Sequence, residues 1–312
     1  MDSMMWTFFL SLSTNMWADS DEDVFDSPFE NHLTVDDAVW RKIIDYLPSH
    51  GFNSVLIDLG DAIQYETHPE IAISGAWSKE KMREELNYMR ALGLNPIPKL
   101  NFSTCHDAWL KDYSRMVSTP EYYAVCKDLI TEVAELFDYP SHFHLGMDEE
   151  DAQTQRFYQL ACMRQGSLWW HDCYYFFDIC EKLGMRPWVW ADKGWNDPED
   201  YMKRMPKSVL QSNWWYGRMI KHADGSMEPK QFEYYLKLDQ AGFDQIPTCS
   251  TLCHTRNTRE TMELGKTRLS PQHLQGYMTT PWIFTTQGDT FGLLYAADRF
   301  YEAKSMYYFE EN

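Results

Sequence analysis

The sequence contains no run of about 20 apolar residues, the length a helix needs to cross a bilayer, so no membrane-spanning helix is expected. It has no Gly-x-Gly-x-x-Gly segment, which removes the usual signature of a dinucleotide-binding loop. Positive charge is scarce: 28 Lys and Arg stand against 47 Asp and Glu, a net charge of −19 at pH 7. Such a surface repels phosphate backbones and anionic headgroups, so neither nucleic acid nor a membrane is expected as a partner. Cysteine is sparse and unpatterned. The seven residues (Cys105, Cys126, Cys162, Cys173, Cys180, Cys249 and Cys253) are odd in number, and none form a Cys-x-x-Cys. Cys249-x-x-x-Cys253-His254 lacks the second half of a zinc site, so buried free thiols are expected, with no metal and no cofactor. Met4–Trp17 begins apolar but has no basic n-region and no small-residue cleavage site. It reads as a first strand. The chain is then cytoplasmic, or secreted or periplasmic if a leader has been removed ahead of it.

What is abundant is aromatic: 16% of residues, including 13 Trp. Many Trp stand near polar residues, as stacking platforms for a ring-shaped ligand do. The 312 residues suffice for one large core. Short β-rich runs alternate with amphipathic stretches eight times. The runs are Thr7–Ser13, Ser54–Leu59, Asn95–Asn101, His142–Met147, Arg186–Ala191, Ser208–Trp214, Gln245–Ser250 and Tyr277–Thr285. Helical patterns fall at Asp36–Tyr46, from Ser78 as N-cap to Leu92, and at Pro120–Phe137, Leu168–Leu183, Pro198–Met205, Lys230–Gln240 and Phe291–Tyr307. The weakest pattern lies around Glu260–Leu264. Leu92-Gly93-Leu94 and Leu183-Gly184-Met185 punctuate helix end and strand start. Strands alternating with helices imply a parallel sheet, and eight units imply closure. The expected fold is a single (β/α)8 barrel over residues 1–312.

Active sites of such barrels gather at the C-terminal strand ends. Read in order, those ends supply Asn15 and Trp17, Asp58, Asn101 with His106, Asp148-Glu149-Glu150, Trp190 with Asp192, Asn213-Trp214-Trp215, His254, and Gln287 with Asp289. The fourth is the sharpest. Period-two alternation in His142-Phe-His-Leu-Gly-Met-Asp-Glu149 puts His142, His144, Gly146 and Asp148 on one face, so Asp148 meets the mouth as the strand ends. Glu149 then follows in the turn. Adjacent carboxylates suit glycoside chemistry, because the charge on one keeps its neighbour protonated. Glu150 and Asp151 read instead as a solvated acidic loop that favours a helix N-terminus.

The segment His144-Leu-Gly-Met-Asp-Glu149 resembles the His-x-Gly-Gly-Asp-Glu signature of glycoside hydrolase family 20, the β-N-acetylhexosaminidases. Ile97-Pro-Lys-Leu-Asn101 with His106 is similar to that family's third strand. Trp188-Val-Trp190-Ala-Asp192 is similar to its fifth, and Val209-Leu-Gln-Ser-Asn-Trp-Trp215 to its sixth. The resemblance implies Glu149 as general acid and Asp148 as the group orienting the substrate's own 2-acetamido nucleophile. It also implies that Trp190, Trp214 and Trp215 wall the sugar pocket and that His106 and His144 support the carboxylates. Asn101, Asp58 and Asp192 complete the expected carbohydrate-binding set. The chain departs from the family in four places. No arginine stands in Thr7–Trp17, Lys99 replaces a glutamate, Met147 replaces the second glycine, and Thr248–Asn257 offers no tyrosine. Two other classes stay open. One is a metal-dependent sugar isomerase or hydrolase using His142, His144, Asp148, Glu149 and Asp192. The other is an inactive barrel that only binds glycans.

Overall fold

The computed structural model describes residues 4–17 and 29–309. Ten strands run in chain order as β1 (Met5–Ser11), β2 (Ser54–Asp58), β3 (Asn95–Lys99), β4 (His142–His144), β5 (Arg186–Trp190), β6 (Leu210–Ser212), β7 (Ile220–Lys221), β8 (Met227–Glu228), β9 (Thr248–Cys249) and β10 (Gly276–Thr279). All but β7 and β8 belong to one parallel sheet of order β6-β5-β4-β3-β2-β1-β10-β9. The β6–β9 seam closes through isolated parallel bridges, Gln211 to Gln245 and Trp214 to Thr248. Across it the Ile246 N–H donates to the Gln211 carbonyl at 2.8 Å and the Thr248 N–H to Asn213 at 3.0 Å. Helices α1 (Asp37–Tyr46), α2 (Lys79–Ala91), α3 (Pro120–Leu136), α4 (Ser167–Lys182), α5 (Pro198–Arg204), α6 (Lys230–Gln240), α7 (Asn257–Arg268) and α8 (Thr290–Tyr308) lie between and after the strands. The chain folds as the single (β/α)8 barrel its sequence implies.

Two prolines inside β3 look incompatible with a central strand, since each lacks a ladder donor. Their phase resolves this. The Asn95 N–H points to β2, donating to Asn53, whereas the Leu100 N–H points to β4, donating to His144. Pro96 and Pro98 share the phase of Leu100, and β4 pairs with β3 at one register position, Lys99 with His144. The missing donors therefore face the side where no ladder has yet begun.

Alternation along β4 sorts the core. Phe143, Leu145 and Met147 join the large apolar layer between sheet and helices. Inside the barrel a smaller cluster stacks Phe9, Leu56, Ile97, Trp188, Trp190 and Met278. Above it the interior turns polar, with Asp58, Lys99, His144 and Asn101 all buried. Ser78 caps α2 as expected, accepting from the Lys81 N–H at 3.2 Å.

Several strands are shorter than the sequence suggests. β4 stops at His144 because Gly146 and Met147 take positive φ of 73° and 74°. β10 stops at Thr279, ahead of Pro281, which has no N–H, and of Trp282 at φ 53°. At β6 and β9 the ladder thins into the single bridges of the seam. The β7–β8 hairpin is antiparallel, with β7 exposed and Met227 of β8 buried, and no period in the sequence announces it. The weak pattern around Glu260 is a full helix, α7.

Candidate active site

At the C-terminal end of the barrel, two loops bring one imidazole between two carboxylates. His106 Nε2, from the loop after β3, lies 3.2 Å from Asp148 Oδ2 and 3.2 Å from Glu149 Oε2. Both neighbours accept, so Nε2 carries the hydrogen. Burial opposes a charge on this ring, but Asp148 and Glu149 outweigh it and push the His106 pKa up to about 10. The ring is an imidazolium at neutral pH.

Asp148 is held on its other side as well. Asn101 Nδ2 donates to Asp148 Oδ1 at 2.8 Å, and Ser103 Oγ donates to the Asp148 carbonyl. Asn101 Oδ1 in turn accepts from the N–H groups of Ser103 (3.0 Å) and Met147 (3.2 Å). This close approach requires Gly146, where an added Cβ would sit 1.8 Å from Asn101 Oδ1. Burial works to protonate Asp148, yet the His106 charge prevails and holds its pKa below the ordinary carboxylate range.

Glu149 sits at φ 54°. Its N–H donates to Asp192 Oδ2 at 2.8 Å, which straps the backbone and leaves the side chain 36% exposed over the mouth. Asp192 is buried and receives the Trp214 indole N–H on its other oxygen at 3.3 Å. Burial first, then the charge of Asp148, raises the Asp192 pKa well above that of a free aspartate. Two acids of one type thus sit in one mouth with their proton affinities driven apart.

Aromatic side chains wall the same space. Trp214 stacks on Tyr216 (centroids 5.1 Å apart, planes at 25°) and meets Trp195 edge-on at 4.7 Å. Trp190 is fully buried against His144 at 4.6 Å and Trp282 at 6.1 Å, and forms the floor. Tyr216 lies near enough to the carboxylates that burial, then their charge, keeps its hydroxyl protonated.

Of the residues singled out in the sequence, Asp148, Glu149, His106, Asn101, Asp192, Trp190 and Trp214 converge here. His144 does not reach a carboxylate: its Nδ1 accepts from the Gly146 N–H at 3.0 Å, and its buried Nε2 has no partner. Trp215 turns away from the interior cluster to pack on Trp195 at 6.0 Å. Asp58 is buried beneath the site with its carboxylate held by Lys99. Glu150 is not solvated but lies fully buried against Arg164, with Nη2 to Oε2 at 2.5 Å. Asp151 does favour a short helix start, accepting from Gln153 and Thr154. Sequence reasoning missed Tyr216, Trp282, Trp195 and Arg164. The run Trp214-Trp215-Tyr216 carried a signal for the first of these, and Arg164 carried none.

Among the described residues, His106, Asp148 and Glu149 are the one set of His, Cys and acidic side chains whose donor atoms all lie within 4.8 Å. The His106 proton already bridges that convergence, so the set reads as a hydrogen-bonded triad of one imidazolium and two carboxyl groups. All seven cysteines are free, and five of them are buried.

The buried acids give a pH signature. Burial pushes the pKa of Asp107, next to His106, up to about 8 from an ordinary 3.8. His106 stands at about 10 against an ordinary 6.5. Both groups bind a proton more tightly folded than unfolded, so stability falls as pH rises through each window. The His106 contribution is fully present below 6.5 and gone above about 10, and that of Asp107 declines between 3.8 and about 8. Thermal melts are expected to show Tm falling steadily from mild acid to pH 10. Asp107→Asn should flatten the lower part of that slope. A Tm that climbs over this range contradicts the assignment.

Fold and site together define a (β/α)8 barrel with an acidic, aromatic-walled mouth at its C-terminal end. Its backbone is similar to those of family 20 glycoside hydrolases. A β-N-acetylhexosaminidase from Bacteroides fragilis matches with a TM-score of 0.66 at 13% identity, covering 95% of this chain and 65% of that one. An exo-β-N-acetylglucosaminidase of that family from Vibrio harveyi, solved with N-acetylglucosamine, matches at 0.66 and 14% identity over 95% of this chain and 54% of its own. Dispersin B matches at 0.60 and 12% identity over 98% and 99% of the two chains. The chain therefore spans the whole of one such barrel protein and between half and two thirds of the two longer ones. No protein-family model matches the sequence, and no curated protein does. The shared fold is the finding.

Proposed function

We propose that the chain is a glycoside hydrolase that removes a terminal 2-acetamido sugar by a substrate-assisted, retaining mechanism. The observation carrying this reading is the His106 imidazolium, which bridges Asp148 and Glu149 at the mouth of a barrel of the hexosaminidase kind. In this reading Glu149, the exposed member, donates its proton to the glycosidic oxygen as the bond to the anomeric carbon breaks. Asp148, ionised and fixed by Asn101 and His106, orients the acetamido N–H so that the acetamido oxygen attacks the anomeric carbon. Water then opens the cyclic intermediate, with Glu149 taking the water's proton and retaining configuration. Trp214 and Trp282, both partly exposed, present ring faces to the sugar, and the buried Trp190 supports Trp282 from below. Tyr216 brings a neutral phenol to the carboxylates from the loop after β6, in place of the tyrosine that the resemblance puts after the seventh strand.

A panel of 4-nitrophenyl glycosides, with and without the 2-acetamido group, tests the reading. Turnover is expected for β-linked 2-acetamido sugars, with the product released first in the retained configuration. Turnover confined to sugars lacking that group removes the substrate-assisted route. Saturable sugar binding with no turnover on any substrate favours the glycan-binding alternative.

A further inference from the structure

The acid-rich mouth contains one charge that the proposed chemistry does not use. Lys99 ends β3 and Asp58 ends β2, and the two are register partners on neighbouring strands. Their side chains are 0% and 3% exposed and form an ion pair inside the barrel, beneath Asp148. Lys99 is also the register partner of His144, four residues before Asp148. We propose that Lys99 is a positioning residue whose buried ammonium holds Asp148 in its ionised form throughout the reaction, with Asp58 anchoring that ammonium. The inference gives a catalytic meaning to Lys99 only if the glycosidase reading holds. Its electrostatic content stands without it.

The geometry shows why a second cation is useful. Asp148 is faced by His106 from the loop after β3 with Cys105 beside it, by Glu149, by His144 four residues before it, by Asp192 after β5, by Tyr216 after β6, and by Lys99 and Asp58 below, besides the Asn101 amide that donates to it. His106 is shared with Glu149 through the same nitrogen. When Glu149 gives up its proton it becomes a stronger competitor for that imidazolium, at the moment Asp148 faces a developing positive charge. Lys99 touches neither Glu149 nor solvent, so its field does not change as Glu149 cycles. An unanchored ammonium there would be a lone buried charge, which is strongly unfavourable, and Asp58 removes that cost. His144 cannot substitute. Burial, then Lys99 itself, keeps that ring neutral. Lys99 is likewise among the groups that lower the Asp148 pKa.

The test follows the Asp148 carboxyl carbon by NMR in protein labelled at aspartate Cγ, with the signal assigned by its loss in Asp148→Asn. In the wild type this carbon should keep its ionised shift across the folded pH range. In Lys99→Met a titration should appear, displaced upward by about one unit or more, the usual effect of losing a near opposite charge. Lys99→Met/Asp58→Asn removes the pair without leaving a lone charge, so it keeps the fold testable, and it should move the signal upward by less. The acid limb of kcat/KM should shift in the same order. A merely structural role would lower Tm and leave both the NMR midpoint and the limb unmoved, and that result overturns the proposal. A wild type without turnover sinks the glycosidase reading, while the NMR ranking still decides the role of Lys99.

Discussion

Glu149→Gln is expected to lower kcat by about 10² to 10⁴ on glycosides with poor leaving groups, the range that general acid catalysis contributes. The amide keeps the shape of Glu149 and can still accept from His106 Nε2, so the triad should stay assembled. What it cannot do is transfer a proton to the departing oxygen. On activated aryl glycosides, whose leaving group departs as a stable phenolate, the deficit should be much smaller. Asp148→Asn is expected to impair both substrate types alike, because its partner is at the anomeric centre. It also leaves His106 without its Asp148 anion, so the alkaline fall in stability should be smaller and complete at lower pH in this variant. Steady-state kinetics of the two variants on both substrate types separate the roles. If Glu149→Gln shows equal, small losses on both, it is not the acid. Asp192 then becomes the candidate, since burial and Asp148 already raise its proton affinity.

The barrel and the heart of its site were legible because both depend on short-range regularities. Period two along His142–Asp148 sends His144 inward and Phe143 and Leu145 outward, as in the structure. Strand-end position then put Asn101, Asp148 and Asp192 in one mouth. Where regularity stops, legibility stops. The sequence offers Trp214 and Trp215 as equals, yet only one phase of the alternation faces the interior. That phase is fixed by the seam bridge from Trp214 to Thr248, a contact 34 residues away along the chain. Trp282 was hidden inside what reads as a continuing strand, and only the turn at φ 53° aims it at Trp190. Lys99 looked like a lost family residue. Its meaning depends on Asp58 across the ladder, which no local pattern shows. Glu150 read as solvated because its partner lies 14 residues on, in a stretch with no periodicity.

That partner supports the largest stability effect expected in the molecule. Arg164 is fully buried. Its Nε lies 3.0 Å and 3.2 Å from the two Glu150 oxygens, its Nη1 lies 3.2 Å from Asp172, and its Nη2 donates to the Phe102 carbonyl at 2.6 Å. Asp172, on α4, also receives Ser118 and Tyr123, so one guanidinium ties the loop after β4 to α4 and to the loop after β3. Arg164→Met leaves two buried carboxylates without their cation, and removing one partner of a buried pair costs about 3–5 kcal/mol. Lys should not rescue it, because an ammonium cannot spread donors over both acids and the carbonyl. Arg164→Met/Glu150→Gln should recover part of the loss by removing one orphaned charge. Denaturant unfolding of the three variants measures the ranking. The catalytic readout should follow stability only in part. Glu150 is the residue after Glu149, and its anchoring fixes where the turn at Glu149 is strapped to Asp192. Arg164→Met assayed well below its melting temperature should therefore still lose kcat. Full activity in a destabilised but folded variant would confine Arg164 to holding the fold together and leave the aim of Glu149 to Asp192 and His106 alone.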